Sequence, residues 1–362
     1  MKKIFLRTLY IVPLYFILSF LLASCGGNEP EQAAFTFTVE PLSTKAHVKI
    51  TAVDKEAYFI SDRGTKSAIE QAGGLQKFVE NSIKNLSISD IGYCQADHES
   101  NFINLSPNTD YVIYAFYAKD DEKSQVQIVG KIASYEFKTL PEYTLPGLFS
   151  VSDTKQVRFA SGNVKYESST YGFFSKQYEY SNAKTGTTID LFPWDDISAI
   201  TNQWKEFSVL SADEWWFILK DRPQADELFA HATVNGKRGI ILLPDNWQTP
   251  EGITLKTAKE MGMEWDETNI RYAVLSASYD GYAQNIYTAS QWSTLEFAGA
   301  VFLPSGDNQG YGWYWSSSEK TSNSDLAHNF SFGPNNMSLL TLKGLAAYKN
   351  SLFLVRPVRE VK

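Results

Sequence analysis

The hydrophobic pattern changes character several times along the chain, and each change predicts a different element. Residues 8–22 form an uncharged, mostly apolar run behind Lys2, Lys3 and Arg7 that ends in Leu22-Ala23-Ser24-Cys25. A short apolar run behind a basic start reads as a removable secretory signal over residues 1–24 rather than a stable transmembrane helix. Residues 25–34 have no hydrophobic period and read as a tether. From Phe35 apolar residues alternate, first Phe35, Phe37 and Val39, then Ala46, Val48 and Ile50, with Pro41-Leu42-Ser43 between them, which predicts two strands. Over residues 65–86 the period lengthens: Ile69, Leu75, Phe78, Val79, Ile83 and Leu86 fall at roughly helical spacing around Gly73-Gly74. That spacing predicts a helical insertion broken in two. Strands resume at Phe102, run through Tyr111-Val112-Ile113-Tyr114-Ala115-Phe116-Tyr117, and return over 125–132 and 134–139.

Residues 140–147 carry Pro141 and Pro146 and form a stiffened linker. Beyond it, the alternation of Gln156 to Tyr166 resembles a hairpin pair of strands. Ser211-Ala212-Asp213-Glu214 and Thr288-Ala289-Ser290-Gln291 are capping boxes, and each opens a short helix, the first ending near Arg222-Pro223 and the second at Gly299. Between these helices, Asn235-Gly236 sits inside an apolar run and predicts a two-residue hairpin turn. Two short helices on a β-rich body are expected.

Composition places these elements in a compartment. Small residues directly before Cys25 are what a lipoprotein signal peptidase needs, so Cys25 is expected to become an acylated N-terminus that holds the chain to a membrane. Glu29 and Glu31 make the tether acidic, a feature that favours display on the outer surface of an outer membrane. Removing the signal takes away Lys2, Lys3 and Arg7 and no acids, so the net charge of −8 becomes −11. That balance excludes nucleic acid and anionic lipid surfaces as partners. With Cys25 acylated, Cys94 has no intramolecular partner, and stability must come from burial of the 43 % of residues that are hydrophobic.

The segment Leu105-Ser106-Pro107-Asn108-Thr109-Asp110-Tyr111 has the Leu, Pro and Tyr order of a tyrosine corner. Residues 35–139 on this basis resemble a fibronectin type III-like β-sandwich, with the helical insertion as a departure. Residues 148–362 carry a longer series: Val157 to Asn163, Asp190 to Trp194, Leu210 to Trp215, Ala232 to Gly236, Ile241 to Trp247, Gly299 to Pro304, Gly312 to Ser318 and Val355-Arg356-Pro357-Val358. This series is similar to a paralogous domain of lipoproteins from Bacteroidota-type gut anaerobes. The resemblance implies a C-type-lectin-like α+β domain, of the fold shared with formylglycine-generating enzymes, whose long loops carry any function. The fold class expected is therefore β-rich α+β: an Ig/fibronectin-like sandwich with a helical insertion, then a C-type-lectin-like domain.

Candidate chemistry is sparse. A formylglycine-generating activity would need a reactive cysteine pair holding copper, and no Cys follows Cys94. His47, His98, His231 and His328 are scattered without metal-ligand spacing, no Gly-x-Ser-x-Gly elbow occurs, and the carboxylates show no acid/base pattern. No cofactor is expected. Calcium is the one candidate, through Asp245-Asn246 and Asp307-Asn308, each following a Leu-Pro strand end; the alternative is that they are turn residues bonded to their own backbone. Tyr311, Trp313 and Trp315 are aromatic enough to stack on a sugar ring, although alternation puts Trp313 and Trp315 on one strand face and core packing is the ordinary role of Trp315. The candidate ligand residues are therefore Tyr311, Trp313, Asp307, Asn308, Asp245 and Asn246. The expectation is a non-enzymatic surface protein that binds glycan or a host or bacterial surface protein. The alternative is a structural or adhesion subunit.

Overall fold

The computed structural model describes residues 33–121, 125–274, 276 and 278–361. The expected signal, Cys25 and the tether through residue 32 lie outside the described residues. No helix among the described residues is long and apolar enough to cross a membrane.

The first half builds two antiparallel sheets. One holds β1 (Phe35–Pro41), β2 (Lys45–Ala52) and β5 (Asp97–Ile103) in that order. The other runs β4 (Cys94–Gln95), β3 (Tyr58–Thr65), β6 (Asp110–Asp120), β7 (Val126–Lys138). In β2 the alternation resolves fully, with Ala46, Val48, Ile50 and Ala52 buried against Phe35, Phe59 and Ile113 between the sheets. The continuous apolar run of β6 has a different cause: it is covered on both faces. Ile113, Ala115 and Tyr117 face the other sheet, whereas Tyr114, Phe116 and Ala118 face the helical insertion.

That insertion is α1 (Lys66–Gln71) and α2 (Leu75–Ile83), broken where Gly73 and Gly74 take φ of 87° and 110°. Thr65 caps α1 through its side chain, and α2 buries Val79 on the sheet. Gly64 makes this packing possible, because a Cβ there would lie 2.8 Å from the Phe78 ring. A one-turn helix, α3 (Ile88–Ile91), completes the insertion.

Gln156–Phe159 and Val164–Glu167 join different sheets rather than forming the expected hairpin pair, and two expectations for the first half also need correction. β5 begins at Asp97 rather than Phe102, and β7 is one strand rather than two. The apparent break in β7 is a bulge: Tyr117 pairs with Val129 and Ala115 with Ala133, so three residues, starting with Gly130 at φ 75°, oppose Phe116 alone.

The segment expected as a linker joins the second half, with Leu145 in its core and Thr144 bridged to Ala160, and from Phe149 onward four sheets surround large buried side chains. β8 (Phe149–Ser150), β9 (Gln156–Phe159), β13 (Phe207–Val209) and β24 (Pro357–Glu360) form one, in the order β13-β24-β9-β8. A second holds β14 (Phe229–Val234), β15 (Lys237–Leu242), β18 (Ile286–Tyr287) and β19 (Val301–Pro304), in the order β18-β14-β15-β19. The third runs β16 (Glu264–Asp266), β17 (Arg271–Ala273), β22 (Asn336–Ser338), β21 (Leu326–Gly333), β20 (Gly312–Glu319), with β23 (Ala347–Tyr348) also on β21. A small fourth sheet has β10 (Val164–Glu167) between β11 (Thr170–Phe173) and β12 (Thr188–Ile189).

The Asn235-Gly236 turn closes β14 onto β15 with φ of 47° and 76°, the left-handed pair a type I′ turn requires. Both expected capping boxes form, on α5 (Ala212–Trp216), which continues as a π-helical turn through Asp221, and on α6 (Ala289–Phe297). Each drives a tryptophan into the core, Trp215 and Trp292. Full burial of a large apolar side chain contributes about 1.5–3 kcal/mol. Two further helices are present, α4 (Asp196–Gln203) and α7 (Leu340–Lys343).

Residues 34–362 form one compact unit. The buried clusters of residues 34–137 and of residues 145–358 nevertheless share no member among the described residues. Where the halves meet away from residues 140–147, Phe297 of α6 receives the Lys45 ammonium 4.4 Å from its ring centroid and the His47 ring at 5.9 Å. Burial there lowers the Lys45 pKa, with Glu296 opposing.

Candidate functional site

Most of the recurrent motif residues in the second half build the framework. Arg356 is fully buried and donates Nη2 to Gln177 Oε1 at 2.7 Å and Nη1 to Asn163 Oδ1 at 3.3 Å. Asn163 Nδ2 donates to the Tyr314 hydroxyl at 2.9 Å, which donates to Pro304 O at 2.9 Å. Gln177 reaches on to Glu296 at 2.9 Å, the nearest acid in the network. Burial pulls the Arg356 guanidinium down to about 10, so it stays charged at neutral pH. Asp190, also fully buried, accepts from the backbone N–H groups of Ser181, Asn182 and Ala183. Segments far apart in sequence are thus tied together by buried polar groups, with Arg356 Nε left without a hydrogen-bond partner among the described residues.

Asp245 belongs to this framework. Its Oδ2 accepts from the Ser150 N–H and hydroxyl, both at 2.7 Å, and its Oδ1 lies 3.3 Å from Arg222 Nη1. Arg222 is itself buried, donating to Ile218 O, Leu228 O and Leu243 O, and desolvation pulls it down to about 10 while Asp245 opposes. The carboxylate considered as a calcium ligand or as a turn residue bonded to its own backbone is instead the counterion of a buried arginine and an acceptor for Ser150. Asn246 lies beside it, exposed.

Asp307 orders a loop. Its Oδ1 accepts from the N–H groups of Gln309, Gly310 and Tyr311, at 3.0, 2.6 and 2.9 Å, and Asn308 projects outward. The two acidic pairs cannot meet. β15 and β19 are antiparallel, with Leu242 opposite Val301 and Gly239 opposite Pro304, so Asp245 and Asp307 leave the pair at opposite ends. No group of three or more His, Cys, Asp or Glu among the described residues could hold a metal ion.

The loop that Asp307 orders presents an aromatic row. Tyr311 and Trp313 are 42 % and 39 % exposed and stack at 6.1 Å with planes 23° apart. Trp313 stacks in turn on Phe353 at 6.2 Å and 16°, and Phe353 packs on the fully buried Trp315 at 4.4 Å. Tyr314 lies on the opposite strand face against Phe330 and Phe332. The expected alternation holds, and depth separates the two tryptophans: Trp313 meets solvent, whereas Trp315 donates its indole N–H to Phe192 O at 2.8 Å.

The sequence reading did not single out α4 or the β10–β11 hairpin as parts of a site. With residues 184–193 they enclose a groove of about 790 Å³. Only the weak amphipathy of Asp196–Gln203 marked this helix, with Ile197 and Ile200 buried. No protein-family model matches the chain, and no curated protein matches it.

Proposed function

We propose that this chain is a lipid-anchored surface protein whose C-terminal half binds glycan or glycoprotein without turning it over. The observation that carries the reading is the solvent-exposed Tyr311–Trp313 pair, rooted through Phe353 in the core and positioned by the Asp307 loop. Rigid aromatic faces at a surface suit the apolar face of a sugar ring, and their anchorage keeps the ordering cost of binding low. Strand order in the two sheets of the first half, with the Tyr111 hydroxyl accepting from the Ser106 N–H at 2.9 Å, supports a fibronectin-like spacer. The C-type-lectin-like reading of the second half rests on its motif series and its two capping-box helices. Anchorage through Cys25 and outer-surface display rest on the N-terminal residues alone. Binding rather than hydrolysis is favoured because the groove lining contains one carboxylate, Asp196, whereas glycoside hydrolysis ordinarily uses two.

The test is binding of residues 27–362 to an array of host and plant glycans, with calcium and again with chelator. Binding is expected to survive chelator, because Asp245 and Asp307 are already engaged. Trp313→Ala is expected to cost about 2 kcal/mol, roughly thirtyfold in affinity. Calcium-dependent binding that Trp313→Ala leaves intact would sink the stacking mechanism.

A second reading, self-assembly or adhesion through protein, draws on the thirteen-residue strand β7, which among the described residues lies at a sheet edge beside β6 and exposes Val129 and Tyr135. Concentration-dependent oligomers in analytical ultracentrifugation would favour it.

A further inference from the structure

The groove adjoins the aromatic row. Phe192 and Phe353 exchange backbone hydrogen bonds at 3.0 and 3.1 Å, Phe192 and Leu352 line the groove, and Phe353 carries Trp313. One bridged pair of residues therefore separates the two surfaces.

Its walls differ in chemistry. The hairpin side offers the rings of Tyr166 and Tyr171, which meet edge to face at 5.0 Å, and Tyr171 abuts Phe192 at 5.9 Å. The helix side offers Asp196, Ala199 and Gln203, spaced at i, i+3 and i+7 and so on one face of α4, together with Asn202. Ala199 is exposed, and its small side chain leaves the groove open at mid-helix.

The walls are also braced against each other. Gln203 donates Nε2 to Tyr171 O at 2.6 Å and accepts from the Tyr171 N–H at 3.2 Å, so its amide stands in for a neighbouring strand at the edge of β11. A groove held in this way is formed before ligand arrives. Its charged lining residues are one Lys184 and one Asp196, of opposite sign, which provides no clamp for an anion or a cation. Aromatic faces with a few amide and hydroxyl groups suit a ligand with apolar ring faces and hydroxyl edges.

We propose that the groove receives the continuing chain of a neutral oligosaccharide whose other part stacks on Tyr311 and Trp313. This rests on the glycan reading above and adds a length requirement: a disaccharide occupies the aromatic row alone, and a longer chain crosses the Phe192–Phe353 bridge into the groove.

The experiment is calorimetric titration of the full-length protein, in a detergent without a sugar head group, with disaccharides and hexasaccharides of a glucan, a xylan and a mannan. The expected result is at least about tenfold tighter binding of one hexasaccharide than of its disaccharide, equivalent to about 1.4 kcal/mol. Ala199→Trp fills the groove from an exposed helical position and is expected to abolish that difference while leaving disaccharide affinity unchanged. Asn202→Ala, a milder change, is expected to reduce it. Trp313→Ala is expected to weaken both ligands. A hexasaccharide advantage that survives Ala199→Trp would overturn the groove assignment and leave the glycan reading standing. Absence of binding by every oligosaccharide would overturn both.

Discussion

Replacing Asp245 by Asn separates a framework role from a metal-binding one, because the two make opposite demands on calcium. The substitution keeps the side-chain volume and removes the charge opposite Arg222, whose side chain is 1 % exposed against 28 % for Asp245. Removing one partner of a fully buried pair costs about 3–5 kcal/mol. Here the guanidinium keeps three carbonyl acceptors and the carboxylate is partly solvated, so the electrostatic loss falls to about 2 kcal/mol. Weakening the two charge-assisted bonds from Ser150 adds about 1 kcal/mol, for a total near 3 kcal/mol. Guanidinium denaturation followed by tryptophan fluorescence reads this directly, since all nine tryptophans lie between residues 194 and 315 and report the C-terminal half. The midpoint is expected to drop equally in calcium and in chelator. Wild-type stability in Asp245→Asn under chelator would refute the reasoning, as would a calcium-dependent stabilisation of wild type that the variant lacks.

His231 gives an acid-sensitivity prediction. It is fully buried, and desolvation pulls its pKa down to about 4, against hydrogen bonds from its ring to Gly333 O and Asn336 O. The unfolded chain takes up this proton near 6.5 and the native state only near 4, so the associated stability is complete above pH 6.5 and is lost as pH falls toward 4. The loss is about 3 kcal/mol, and the stability difference between pH 7 and pH 4 is expected to shrink by roughly that amount in His231→Gln; equal pH slopes in the two proteins would refute it. Tyr111→Phe strands the Ser106 N–H and is expected to cost about 1–2 kcal/mol in the first half, read by circular dichroism melting, with the tryptophan-monitored transition unmoved. Gly236→Val forces a β-branched residue into φ 76° at the β14–β15 turn and is expected to cost about 1–2 kcal/mol in the tryptophan-monitored transition. No change there would contradict the type I′ assignment.

What the sequence disclosed was local. Both capping boxes, the Asn235-Gly236 turn, the Gly73-Gly74 helix break and the Tyr111 corner are signals within a few residues, and each structure follows its signal. Helix α4 escaped notice because Ile197, Ile200 and Thr201 are β-branched and Asp195 makes no side-chain cap. Asp245 read as a calcium candidate or a turn residue bonded to its own backbone because its partners lie 23 and 95 residues away, at Arg222 and Ser150. Alternation put Trp313 and Trp315 on one face, but distant segments, Phe192 and Val355 among them, decide that Trp315 is the one covered. The site was legible in its residue types and illegible in its walls, which come from non-local packing.

The position of β24 sets a timetable for folding. Residues 357–360 lie between β13 and β9, inside their sheet rather than at its edge, and neighbouring Arg356 supplies the buried charge of the Asn163 network. Strand β9, more than 190 residues earlier, pairs with β8 at once but cannot acquire its second neighbour, β24, until those residues have been synthesised. At ribosomal elongation rates of about 5–20 residues per second, that wait is on the order of 10 to 40 s. Until then neither this sheet nor the Asn163 network can close, so the topology places completion of the C-terminal half at the very end of synthesis.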